Sequence, residues 1–188
     1  MTNVEIDTPN SESSWTSVLL IGGLFGIIAS ILGLISGYIQ ISQEPSGSLF
    51  GPAAFTGILV CLITALTGLV AVWHYTKEVT REISYGQGAL IGALSAVVVT
   101  LISLTLTQIW YLIDPNYLQN YIESMVANFE AMGLPDEALD AQTDQLMQAQ
   151  TFAGVLKQSA ISMVFLALFN SLTAMLGVRF FGEKKDEL

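Results

Sequence analysis

The chain has 188 residues, about one domain's worth. Only 12 % of them are charged and 52 % are hydrophobic, against roughly 25 % and 45–50 % in soluble domains, so lipid is expected to cover most of the surface. A net charge of −10 excludes a nucleic-acid surface and a polybasic lipid patch, both of which need clustered Lys and Arg. The single cysteine, Cys61, excludes a disulfide framework or a cysteine zinc site within one chain, and in its apolar run it reads as a small buried packing residue.

Residues 1–14 are polar, contain no Lys or Arg, and are expected to be a disordered cytoplasmic segment. A secretory leader would begin with basic residues and have a shorter apolar core, so the first apolar run reads as a retained span. A hydrocarbon core of about 30 Å needs about 20 apolar residues. Four runs qualify, at about 15–41, 52–75, 86–113 and 159–181, and charge is absent across the body of each. Residues 182–188 form a tail ending Lys185-Asp186-Glu187-Leu188, which matches a reticulum retrieval signal. Such a signal acts only in the lumen, and the sidedness argued next puts this tail in the cytoplasm, so it reads as a chance match.

Orientation follows Lys and Arg. Lys77 and Arg81 lie between spans two and three, and Arg179, Lys184 and Lys185 lie at the end of span four. These two regions share a side, which places both termini in the cytoplasm; only Lys157 falls opposite. Trp15, Trp73, Trp110, Tyr38, Tyr75 and Tyr111 sit near span ends, where amphipathic rings favour the headgroup level.

Helices in lipid associate through close contact, which small residues permit. Span one carries Gly22/Gly26 and Gly33/Gly37, and span three carries Gly88/Gly92. The pattern fits packing inside one bundle or a homodimer face and does not choose between them. Gln108 and Asn170 are costly in hydrocarbon and are expected to face a partner helix or, alternatively, to line a polar path.

The 114–150 segment is the one sizeable piece outside the bilayer. Leu118, Tyr121, Ile122, Met125, Phe129 and Met132 follow helical spacing over about 116–132, and Gly133 suits the stop. A second helix starts at Pro135, with Asp136 and Glu137 complementing its dipole. The loop holds seven acidic and no basic residues, so its apolar face is expected to cap the bundle or meet a partner rather than lie on anionic lipid. Asp136, Asp140 and Asp144 share a face but lack the glycine and closely spaced oxygens of a calcium loop.

His74, the only histidine, reads as an interfacial residue, since a metal site needs several donors. No nucleophile–base pair can be assembled without it, no phosphate-cradling glycine loop is present, and no ionisable group sits near a span centre. Asp114-Pro115 has a local reading. Pro115 pushes Asp114 out of the helical region, so Asp114 ends span three and caps the next helix.

Span three opens with Ile83-Ser84-Tyr85-Gly86-Gln87-Gly88 and closes with Tyr111-Leu112-Ile113-Asp114-Pro115-Asn116-Tyr117, followed by an acidic helical loop and the last span. This order resembles the domain of unknown function 4199 family, four-span bacterial membrane proteins without an assigned activity. The resemblance implies a bacterial cytoplasmic membrane and an outer-rim motif at Asp114, Pro115 and Tyr117. The expected fold is therefore all-α, an integral membrane bundle of four transmembrane helices with a two-helix extracytoplasmic loop between spans three and four. The expected role is non-enzymatic, that of a structural or interaction component. It would have membrane lipid around it, a protein partner or a second copy beside it, and no catalytic residue, cofactor, metal or nucleic acid. The alternative is a small transporter or channel with an uncharged polar path near Gln108 and Asn170.

Overall fold

The computed structural model describes residues 11–48 and 50–183. The expected retrieval-like motif and Lys184 lie outside the described residues, as does most of the N-terminal segment. Seven helices follow one another: α1 Ser11–Ser42, α2 Pro52–Ala65, α3 Thr67–Glu78, α4 Tyr85–Ile113, α5 Tyr117–Ala131, α6 Asp136–Ala149 and α7 Phe152–Phe181. Together α2 and α3 make one span, so four stretches are long and apolar enough to cross a bilayer: 14–42, 52–78, 85–113 and 152–181. The molecule is an all-α membrane bundle. The end where α1 begins and α7 finishes is here called the base, and the end carrying α5 and α6 the crown.

Local chemistry sets the helix ends. Pro52 opens α2, where its missing N–H costs nothing. Ser84 starts α4 with a reciprocal capping box: its hydroxyl accepts from Gln87 N–H, and Gln87 accepts from Ser84 N–H. Thr151 caps α7 at Gly154 N–H, which starts that helix seven residues before the expected span and carries it into the crown. Gly133 ends α5 with φ of +71°, a conformation that favours glycine.

The base is the tightly packed half. There α1, α3, α4 and α7 surround Val18, Ile21, Ala71, Val72, Tyr75, Ile91, Ala174 and Val178, all buried. Tyr75 thus belongs to the core and not to the expected interfacial belt. The turn between α3 and α4 is pinned to the end of α7, because Glu183 N–H donates to the Arg81 carbonyl (2.8 Å) and Ile83 is buried beside Gly182. His74 is half-buried here, its Nδ1 2.9 Å from Ser17 Oγ.

Towards the crown the packing loosens. There α2 rests mainly on α1, and the outer half of α7 exposes Leu156, Ile161, Val164 and Phe165. Such exposure suits a lipid surround, since lipid tails are as apolar as the side chains they touch. Cys61 also lies exposed on α2, contrary to the burial expected of it. Hydrocarbon serves a thiol as well as a protein core does, so the apolar run did not have to turn Cys61 inward.

Candidate functional site at the crown

The glycine pairs fall into two kinds. A Cβ at Gly22 or Gly26 would press on Val98 or Ile102 of α4, and one at Gly88 or Gly92 would run into Val178 or Asn170 and Ala174 of α7. Those two pairs are helix–helix contacts. The third pair is different: Gly33 meets nothing within 4 Å, and Gly37 lies under the Tyr117 hydroxyl of α5. Gly33 and Gly37 therefore line a space between helices.

That space is a half-open cavity of about 470 Å³ beneath α5. Its deep walls are small residues, Gly33, Ser36 and Gly37 of α1 facing Ala53, Ala54 and Gly57 of α2. Ser36 Oγ donates to the Ala53 carbonyl (3.1 Å) and ties the walls together. Its rim is polar and aromatic, with Gln40, Tyr111, Tyr117, Tyr121 and Gln150. None of the lining residues is charged.

The rim is assembled around Asp114. Pro115 helps break the helix there, and Asp114 ends α4 with φ −122° and ψ 87°. Its Oδ1 accepts from Asn116 N–H (3.2 Å) and its Oδ2 accepts from the Tyr38 hydroxyl (2.6 Å), which also accepts from Trp110 Nε1 (3.1 Å). Asp114 therefore does less capping than expected: it holds a turn and joins the crown ends of α1 and α4. Tyr38 packs edge-on against Tyr117, and Tyr117 stacks between Tyr111 and Tyr121 at centroid distances of 5.9 and 6.3 Å. Burial pushes the Tyr117 phenol up to about 12, with Tyr111, Tyr121, Tyr38 and Asp114 adding to the rise, and burial also raises Tyr121. Both hydroxyls stay protonated across the physiological range.

Asn128 is the anchor that sequence reasoning missed. Its Oδ1 accepts from the N–H groups of Ser46 and Gly47, and its Nδ2 donates to the Ser48 carbonyl (3.2 Å), so α5 clamps the α1–α2 loop. Gly47 allows this with φ of +64°, its backbone pressed on Ala131. An asparagine in an amphipathic helix carries no signal that it will read a loop 80 residues away.

Asn170 lies away from the crown, fully buried at the middle of the bundle. Gly68 N–H donates to its Oδ1 (2.6 Å), and its Nδ2 donates to the Thr64 carbonyl (3.1 Å) and the Leu166 carbonyl (3.0 Å). Thr64 and Gly68 are four apart, the two ends of one rung of an α-helical ladder. The Asn170 amide is inserted into that rung, and Thr173 Oγ1 takes the next carbonyl, Ala65 (2.7 Å). This insertion is why span two breaks at Leu66. Gln108 is exposed near the crown end of α4 and makes no hydrogen bond to the described residues. Asn170 meets α4 at Gly92, sixteen residues earlier, a helical rise of about 24 Å. The two amides do not share one site.

Among the described residues no group of three His, Cys, Asp or Glu side chains could hold a metal ion. Ser95 Oγ, buried between α4 and α1, has no hydrogen-bond partner among the described residues.

The model of the family described as "Protein of unknown function (DUF4199)" matches residues 20–179. The chain belongs to the DUF4199 family. No curated protein and no solved structure matches it. The region that matches the DUF4199 model begins within α1 and ends within α7, so it takes in every residue of the crown and of the Asn170 node.

Proposed function

We propose that this DUF4199 protein is a non-enzymatic interaction component of a bacterial cytoplasmic membrane, with both termini in the cytoplasm and the crown on the opposite side. The observation that carries the reading is α6. This helix buries none of its fourteen residues and presents Asp136, Glu137, Asp140 and Asp144 with no basic residue in its sequence. A soluble-side helix held at such small benefit to its own chain suits contact with another protein. Its charge calls for a partner with a basic surface, found by electrostatic steering. The proposed sidedness draws on Lys77, Arg81 and Arg179, which the fold gathers at the base.

The alternative, a small transporter or channel with an uncharged path, draws on the crown cavity. The separation of Gln108 from Asn170, and the use of both ends of the Asn170 amide on backbone groups, weigh against a path through those two residues.

The test is affinity purification from native membranes of the wild type and of the Asp136→Asn/Asp140→Asn/Asp144→Asn variant. The expected result is a stoichiometric protein that leaves with rising salt and is lost from the variant. The same proteins recovered with both forms at all salt concentrations would contradict the reading.

A further inference from the structure

We propose that the crown cavity is a lipid site, which takes the acyl chain and ester carbonyl of an uncharged bilayer lipid. The inference stands apart from the partner reading above, since it uses the other face of the crown. Three observations carry it. The first is depth. Gly33 lies nine residues inside the end of α1, about 14 Å, and Gly57 five residues inside α2, about 8 Å, so the small-residue walls stand at the level of the hydrocarbon. A slot there is exposed to the highest concentration of alkyl chains available to the protein.

The second is the rim. Tyr117 is only 7 % exposed, its hydroxyl lies on Gly37 at the cavity wall, and no described residue receives its proton. Tyr121, Gln40 and Gln150 likewise border the space, and their side-chain polar groups make no hydrogen bond to the described residues. The Tyr117 hydroxyl opens on this space, and a donor that faces an apolar slot without a partner is costly; an acceptor supplied by a ligand removes that cost. The polar rim above an apolar slot repeats, along the bilayer normal, the order of ester and chain in a lipid.

The third is charge. No lining residue is ionised, and Asp114, whose charge acts on Tyr117, is already engaged by Tyr38 and Asn116. An unpaired ionic headgroup would be desolvated without compensation. The site therefore favours a lipid with an uncharged head, such as diacylglycerol, over an anionic phospholipid. A volume of about 470 Å³ is within the usual range of roughly 300–1,000 Å³ for sites that hold a small molecule.

The experiment is photolabelling in phosphatidylcholine vesicles with a diacylglycerol that carries a diazirine on its acyl chain, mapped by mass spectrometry. A Cβ at Gly33 or Gly57 enters open space, so leucine there is expected to fill the slot; a Cβ at Gly23 is equally unobstructed but lies outside the cavity, and that position serves as the control. The expected result is label concentrated on 33–57 and 117–121, displaced by unlabelled diacylglycerol and not by phosphatidylglycerol. Labelling should fall about tenfold or more in Gly33→Leu and Gly57→Leu and be unchanged in Gly23→Leu. Label spread equally over the lipid-facing side chains of α7, labelling indifferent to the filling variants, or displacement by phosphatidylglycerol as readily as by diacylglycerol would overturn the proposal.

Discussion

At the residue scale the middle of the bundle rests on close approach more than on polarity. Backbone oxygen of Asn170 sits where a Cβ at Gly68 or Gly92 would be, so α3, α4 and α7 cross at one point. Interhelical hydrogen bonds in membranes contribute about 0.6 kcal/mol each on average. Forcing a methyl group into a filled contact costs about 1–3 kcal/mol. In Asn170→Leu the freed Thr64 carbonyl and Gly68 N–H can bond to each other, since they are helical partners already. Gly92→Ala is therefore expected to destabilise more than Asn170→Leu, with Gly23→Ala near neutral, as measured by SDS-induced unfolding in mixed micelles. A larger loss in Asn170→Leu than in Gly92→Ala would mean that the hydrogen bonds dominate.

At the element scale the crown is a set of helices fastened to the bundle by a few side chains. Asn128 fixes α5 to the α1–α2 loop, and Asp114 fixes the end of α4 to α1. Losing one such bond costs about 0.5–1.5 kcal/mol, so Asn128→Ala is expected to speed amide exchange at Ser46 and Gly47 roughly two- to tenfold. The amides of α4 within the base should be unaffected, and exchange accelerated equally in both places would show that α5 supports the whole fold.

The same scale shows what could be read in advance. Long uncharged runs identified the four spans, and the spacing of Leu118, Tyr121, Met125 and Phe129 with Gly133 identified α5, because both signals are local. The break at Leu66 was not legible. It comes from a side chain 104 positions later, and nothing within Thr64–Gly68 reports it. The roles of Gly33 and Gly37 were not legible either. A small residue allows a helix to approach but does not require it, and here α5 spans the gap and leaves a cavity. Gln108 shows the converse: near the end of a span a polar amide has no need of a partner helix.

At the scale of the whole molecule the protein is a bundle closed at the base and open beneath a crown, with lipid around the spans. The expected division of labour follows from that asymmetry. Buried side chains cluster from the base to the midplane, and Tyr117 is the buried hydrophobic residue at the crown among those described. The proposed partner and lipid contacts both lie where packing is incomplete, beside the exposed acid of α6 and the phenols of Tyr117 and Tyr121.

The most direct test of this arrangement is labelling of single cysteines with a membrane-impermeant maleimide in intact cells. In a Cys61→Ala background, cysteines replace Gln119 or Asp140 at the crown and Lys77 or Glu183 at the base, all exposed positions. The account predicts that the crown positions react in intact cells and the base positions only after permeabilisation. Crown and base positions that react together, with or without permeabilisation, would contradict it.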